Sequence, residues 1–304
     1  MSPLIAQMAS RALGRGKVPT QLQLASRRDI PDMLALYYRE GWVDWTHDDL
    51  AFLFDTSGQC LFKLVLEGRL IGLSLATVTG DAILYGHSNL VDSSLRDKIN
   101  YFDEALKYSD YLNQIARLQI LYASRRVIRL YQSGAGFKPR ATYRRAVVTG
   151  ARAGLADPVL PVLDSRASAA SWQAVDALAT SVFRASRASL FRHFAAVGAR
   201  CTVLQEEGRA RAFALVRELP KATVVGPVLA DDVESARTVL ASAWHQAGGG
   251  PVVIEASDEQ LGQLLPGHFT FAWEDNQMVK MYRGDASLLE DEGRIFGIFS
   301  RYIS

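Results

Sequence analysis

The sequence is short of the features that mark several common protein classes. Its 304 residues include only two cysteines, Cys60 and Cys201. No Cys-x-x-Cys pair or Cys/His cluster gives the ligand spacing of a zinc site, and two thiols cannot staple a chain this long. Both cysteines lie in apolar stretches (QCLFKLVL and ARCTVLQ) that suit small buried side chains in strands, and a reducing compartment is expected. Net charge is nearly absent: 34 Lys and Arg against 32 Asp and Glu leave +2. Such a balance exerts no strong sequence-independent pull on nucleic acid or an anionic membrane. No run of about eighteen uninterrupted apolar residues is present, so no membrane-spanning helix is expected. The first twenty residues carry three basic and no acidic side chains but lack the apolar core of a secretory signal. A cytoplasmic location is expected. No Gly-x-Ser-x-Gly elbow, Ser/His/Asp arrangement, Walker loop or metal-ligand spacing supports a hydrolase, kinase or metalloenzyme.

The chain does have the apolar content of a globular protein, 49% hydrophobic and 22% charged residues, which excludes a disordered chain. Its length predicts two domains. The same order of elements occurs twice. In the first half, RRDIPDMLALYYREG (27–41) predicts an amphipathic helix closed by Gly41, and residues 60–91 predict three strands with turns at 67–69 and 79–81. Helical spacing follows over 99–118, then a strand at 118–124, a short helix at 125–134 and a closing strand at 142–150. The second half repeats this with helices at 172–183 and 189–198, three strands within 201–230, a helix at 232–250 stopped by three glycines, a strand at 251–257 and a final strand pair. Residues 1–20 are expected to form an N-terminal extension, 21–150 the first domain, 151–168 a linker and 169–304 the second domain.

That order, with LYQSGAGF (130–137) after the fifth strand, resembles the GCN5-related N-acetyltransferase (GNAT) fold. The segments EGRLIGLSLATVTGD (67–81), VFRASRASLFRHF (182–194), GRARAFALVRE (208–218), VVGPVLADDVESAR (224–237) and MVKMYRG (278–284) are similar to a bacterial group that carries two such domains in tandem. The resemblance implies an α/β (α+β) fold class, with two GNAT-like domains, each a mixed, mostly antiparallel sheet flanked by helices. It implies an acyltransferase whose co-substrate is acetyl-CoA or another acyl-CoA, with no metal. In that family the donor lies where strands four and five splay apart, and its pyrophosphate sits on backbone amides opening the next helix. Such a site works because unpaired N–H groups and the helix dipole favour an anion. Val91, Arg96 and Lys98 are the donor-binding residues so implied. The loop departs from the family pattern, since Ile99 and Tyr101 stand where the family has glycines and Asp97 adds a negative charge. In the second half the loop carries Asp231, Asp232 and Glu234 and no glycine, so that site is expected not to hold a diphosphate.

Tyr131 takes the family position of a general acid aimed at the leaving thiolate, and a packing role under the last hairpin is the alternative. His87, on the fourth strand, has the titration range of a base for an ammonium acceptor, against a structural histidine. Strict alternation would put His87 on one face with Tyr85 and Asn89, a more polar face than its opposite, and Tyr85 and Asn89 are expected to line the acceptor pocket. GWVDWTHDD (41–49) offers Trp42, Trp45 and Asp44 as an aromatic, acidic wall for an amine; equally, the tryptophans could plug the core and the aspartates cap the next helix. The leading expectation is N-acyl transfer to a small-molecule amine in the first domain. The alternatives are transfer from an acyl or aminoacyl carrier (a carrier protein or tRNA), favoured by the basic runs at 125–129 and 138–145, and a non-catalytic ligand-binding relative.

Overall fold

The computed structural model describes residues 20–42, 45–80, 83–96, 98–99, 108, 111–151, 160–164, 166–220, 222–275 and 277–298, with the side chains of His87 and Ser88 outside the description. The expected N-terminal extension thus lies, up to residue 19, outside the described residues, as does most of the 99–118 helix and the linker over 152–159. The chain divides into two compact units, residues 1–121 with 129–137, and residues 122–128 with 138–304.

The first unit contains β1 (Gln21–Leu24), α1 (Ile30–Arg39), α2 (His47–Ser57), β2 (Leu61–Leu66), β3 (Arg69–Thr79), β4 (Ile83–Val91), the start of β5 (Leu118–Ser124) and most of α3 (Ile128–Ala135). Its strands pair in the order β1-β2-β3-β4-β5. All these pairs are antiparallel except β4 with β5, which run parallel over Ile83–Gly86 and Leu118–Leu121. Helical periodicity explains α1: Ile30, Met33, Leu36 and Tyr37 share one face and are all buried. Each contributes about 1.5–3 kcal/mol on leaving water. Gly41, at φ +80°, ends the segment in a conformation that a side chain would resist. Thr46 caps α2: its hydroxyl accepts from the Asp49 amide, and the Asp49 carboxylate accepts from the Thr46 amide at 2.9 Å. Asp49 is therefore committed to capping.

The second unit contains β6 (Lys138–Ala151), β7 (Val162–Leu163), α4 (Ala169–Phe183), α5 (Ala188–Ala196), β8 (Arg200–Glu206), β9 (Arg209–Glu218), β10 (Thr223–Ala230), α6 (Val233–Gln246), β11 (Val252–Ser257), α7 (Asp258–Leu264), β12 (Phe269–Trp273), β13 (Met278–Gly284) and β14 (Ile295–Gly297). Its path is β13-β6-β11-β10-β9-β8-β7, with β12 also on β6 and β14 on β10. The strand expected to close the first half, β6, pairs instead with β11, β12 and β13 of the second unit. Fourteen residues long, it offers both edges to strands that follow it by more than a hundred positions. The strands β1, β7 and β14 have no counterpart in the sequence-based expectation. The core of this unit joins Val225, Val228, Ile254 and Ala256 from the sheet to Ala236, Val239 and Leu240 from α6.

Candidate functional site

The site is set by a slip of one residue in β4. Gly86 lies opposite Ala76 on β3, whereas Ser88 lies opposite Leu75, so His87 is an extra residue on β4. A bulge of this kind shifts the pleat by one and reverses which face later side chains point to. Tyr85 is opposite Thr77 and Asn89 is opposite Ser74, three positions apart on β3, so the two side chains leave opposite faces of the sheet. The single face expected for Tyr85, His87 and Asn89 is thereby corrected. Tyr85 is 1% exposed and belongs to the core. For His87 the backbone belongs to β4, and its side chain lies outside the described residues.

Asn89 is held from both sides. Its Oδ1 accepts from the hydroxyl of buried Ser74, which orients the carboxamide so that Nδ2 donates to the Tyr131 hydroxyl at 2.9 Å. Tyr131 is carried by α3 and packs edge-on against Phe137, with ring centroids 5.8 Å apart. A phenol that accepts from Asn89 keeps its own proton for another partner. Burial raises the Tyr131 pKa, offset in part by the Asn89 hydrogen bond, so the group is neutral at physiological pH and can only give a proton. The position is on β4 beyond Gly86↔Leu121, the last parallel pair with β5.

In the aromatic segment before α2, Trp45 and Asp49 follow the packing and capping alternative. Trp45 is 1% exposed and stacks on Tyr37 at 5.8 Å, and half-buried Trp42 stacks on Tyr37 at 6.0 Å. Trp45 is thus core, Trp42 its partly covered neighbour, and Asp44 lies outside the described residues.

The loop after β4 is filled with carboxylates. Buried Asp92 accepts from the Ser94 amide at 3.1 Å and the Ser94 hydroxyl at 2.6 Å, and pairs with Arg69 at 2.8 Å and Arg39 at 3.1 Å. The Ser94 hydroxyl, with Arg39 and Arg69, holds its pKa below the usual carboxylate range. Glu40, at the end of α1, accepts from the Ser93 amide at 2.8 Å and pairs with Arg96. Arg96 also donates through Nε to the Val91 carbonyl at 3.2 Å. The amides of Leu95, Lys98 and Ile99 bond within the loop. Ile99 is buried with Leu64, Ile71 and Val91, while Lys98 is exposed. A diphosphate on this loop must expel two carboxylates and take Arg96 from one of them, so the loop as folded does not fit that part of CoA. Nothing in the sequence pattern revealed Glu40, which is 53 positions from Ser93.

The second unit is self-satisfied in the same way. Asp232 caps α6 by accepting from the Ser235 amide at 2.8 Å, Asp231 lies against Arg211, Arg209 and Arg294, and Glu234 pairs with Arg237. Asp232 is held at low pKa chiefly by the Ser235 amide, despite partial burial.

In each unit a parallel strand pair ends beside a one-residue slip. The family model of the acetyltransferase (GNAT) domain matches residues 175–297, within the second unit. Over those residues the chain carries a GNAT domain. No curated protein sequence matches the chain. A Pyrococcus horikoshii protein described as a candidate acetyltransferase is similar over 97% of this chain and 98% of its own, at 15% identity and TM-score 0.77. A GCN5-related N-acetyltransferase from Sphaerobacter thermophilus is similar over 88% and 97%, at 12% identity and TM-score 0.54. A tandem GNAT protein of the clavulanic acid biosynthesis pathway is similar over 87% and 98%, at 10% identity and TM-score 0.57. At such identities the likeness establishes the fold, two GNAT-like units in one chain. Among the described residues no helix is long and apolar enough to cross a membrane, and no group of His, Cys, Asp and Glu could hold a metal.

Proposed function

We propose that the protein is an N-acyltransferase whose first unit is catalytic and whose acceptor is a small-molecule amine. The observation that carries this reading is the Ser74–Asn89–Tyr131 chain, which sets a neutral phenol beside β4 just past the last parallel pair with β5. An amine attacking an acyl carbon there expels a leaving group that needs a proton, and Tyr131 can supply it. The bulged β4 backbone is suited to polarise the acyl carbonyl through an N–H, and His87 is the candidate to accept the amine proton. Trp42 and Asp44 remain candidates for the acceptor side.

Acyl-CoA is the donor that family resemblance suggests, and the Glu40 and Asp92 carboxylates speak for a donor that does not rely on this loop. They favour, as a second reading, an acyl group presented on a carrier. The test is thiol release, with mass detection of acylated amine, from S-acetylpantetheine and a panel of primary amines, using wild type and Tyr131→Phe. Loss of a general acid lowers the maximal rate tenfold or more with donor KM little changed. Unchanged turnover with weakened donor binding would make Tyr131 a packing residue and remove the proposed mechanism.

A further inference from the structure

In the second unit the gap between the parting strands is already filled. Strands β10 and β11 pair in parallel at Thr223–Val225 with Val252–Ile254 and no further. Just beyond, β10 slips by one residue against β9 between Val225 and Val228, the same slip that β4 makes around His87. Gly226 and Gly86 hold the same place in the two strands, as the aligned stretches VVGPVL and LYGHSN show. In the first unit no described strand pairs with β4 on the β5 side after Gly86. In the second, β14 lies there, antiparallel to β10, with Gly297 opposite Val228 and Ile295 opposite Leu229. It also reaches the other strand: Ile298 bridges to Glu255 of β11 and donates its amide to the Glu255 carbonyl at 2.6 Å.

The fit is tight. Ile295, Phe296 and Ile298 are 1%, 2% and 4% exposed. A Cβ on Gly297 would stand 3.0 Å from Val228 Cγ2 and 3.3 Å from Ile254 Cγ1, so this position needs a residue without a side chain. Arg294, immediately before the strand, fastens it: one guanidinium nitrogen lies 2.5 Å from Asp231 and another donates to Ser181 at 3.0 Å. Asp231 closes β10 and opens the loop to α6, so the same ion pair ties the strand to the loop.

We propose that Ile295–Ile298 is a built-in occupant of the slot between β10 and β11, holding the second unit closed to an extended ligand arm. The backbone groups that would receive such an arm are engaged by the chain's own residues, and the carboxylates of the adjoining loop are engaged by its arginines. This inference stands apart from any assignment of catalysis to the first unit.

Hydrogen exchange of the full chain tests it with two variants. Gly297→Val should drive the strand out by collision with Val228 and Ile254. Arg294→Gln removes the fastening and leaves the slot's volume alone. Exchange at residues 224–230 and 252–257 should quicken tenfold or more in Gly297→Val, and residues 295–298 several-fold in Arg294→Gln, while β8, in the same unit, keeps its wild-type protection. Millimolar CoA, used as the probe, should leave Val228–Ala230 unchanged in wild type. Should Gly297→Val lose β8 protection through unfolding of the whole second unit, Arg294→Gln decides alone. Wild-type exchange rates in Arg294→Gln, or CoA protection of Val228–Ala230 in wild type, would overturn the inference.

Discussion

Replacing Glu40 by Gln should lower the stability of the first unit and raise its affinity for a diphosphate, two effects of opposite sign from one oxygen-to-nitrogen change. The Glu40 side chain is 4% exposed and holds the Ser93 amide at 2.8 Å, while its partner Arg96 is 54% exposed. Glutamine can still accept from Ser93, so what is lost is charge. Turning a charge-assisted hydrogen bond into a neutral one costs about 1 kcal/mol. The half-exposed Arg96 pair, screened by water, adds roughly 0.5 kcal/mol. A total near 1.5 kcal/mol lowers the melting temperature of a unit this size by about 5 °C. The same change frees Arg96 and relieves the loop of an anion that a diphosphate would have to displace. About 1.4 kcal/mol returned to the incoming ligand is a tenfold gain in affinity. Calorimetric titration with CoA and with inorganic pyrophosphate, at low and high salt, reads the second effect, and the gain should shrink as salt screens it. A variant that melts lower and binds CoA no better, or worse, would show Glu40 to be only a cap for the Ser93 turn and refute the reasoning.

Further outcomes follow from other sites. Asn89→Leu removes the hydrogen bond that lowers the Tyr131 pKa, so the alkaline limb of the acyl-transfer pH profile should move upward, and Tyr131→Phe should abolish that limb. Lys280→Met should cost the second unit about 3–5 kcal/mol in denaturant unfolding, because buried Lys280 pairs with Glu290 and with Glu292 at 2.6 Å and the variant takes a buried cation from both carboxylates, leaving Glu290 to Arg187 and Glu292 to the Tyr143 hydroxyl. Both thiols should resist alkylation at pH 8 in the native chain: burial pushes Cys60 up to about 12 and raises Cys201 as well. Since the folded Cys60 pKa lies above its ordinary value of 9.0, its contribution is whole below pH 9 and drains as pH rises toward 12. Cys60→Ala should flatten that alkaline slope by about 1.4 kcal/mol per pH unit.

Much of the architecture is legible in the sequence because hydrophobic periodicity is local. The face of α1 made by Ile30, Met33, Leu36 and Tyr37, and the hairpins across residues 67–69, are written in neighbouring residues. Three things are not. A one-residue bulge at His87 leaves no mark in an alternation of polar and apolar residues, which puts Tyr85 on the face of Asn89, although glycines at 86 and 226 sit at the slip in both units. The period of β6 says that it is a strand and nothing about its neighbours, which follow it by more than a hundred positions. β14 is three residues long, too short to carry a period, and its meaning lies wholly in the slot it enters. The donor loop shows the same division. Its missing glycines are visible in the chain, whereas the carboxylate that fills the vacancy comes from the end of another helix.

The most direct test of the account is donor discrimination by wild type, comparing kcat/KM for S-acetylpantetheine, which has no diphosphate, with that for acetyl-CoA and the same amine. If the first unit works on the acyl group at Tyr131 while Glu40 and Asp92 hold the loop, the two values should agree within about threefold, since no diphosphate contact remains to favour CoA. A preference for acetyl-CoA of a hundredfold or more, equivalent to about 2.8 kcal/mol drawn from the nucleotide end, would contradict it.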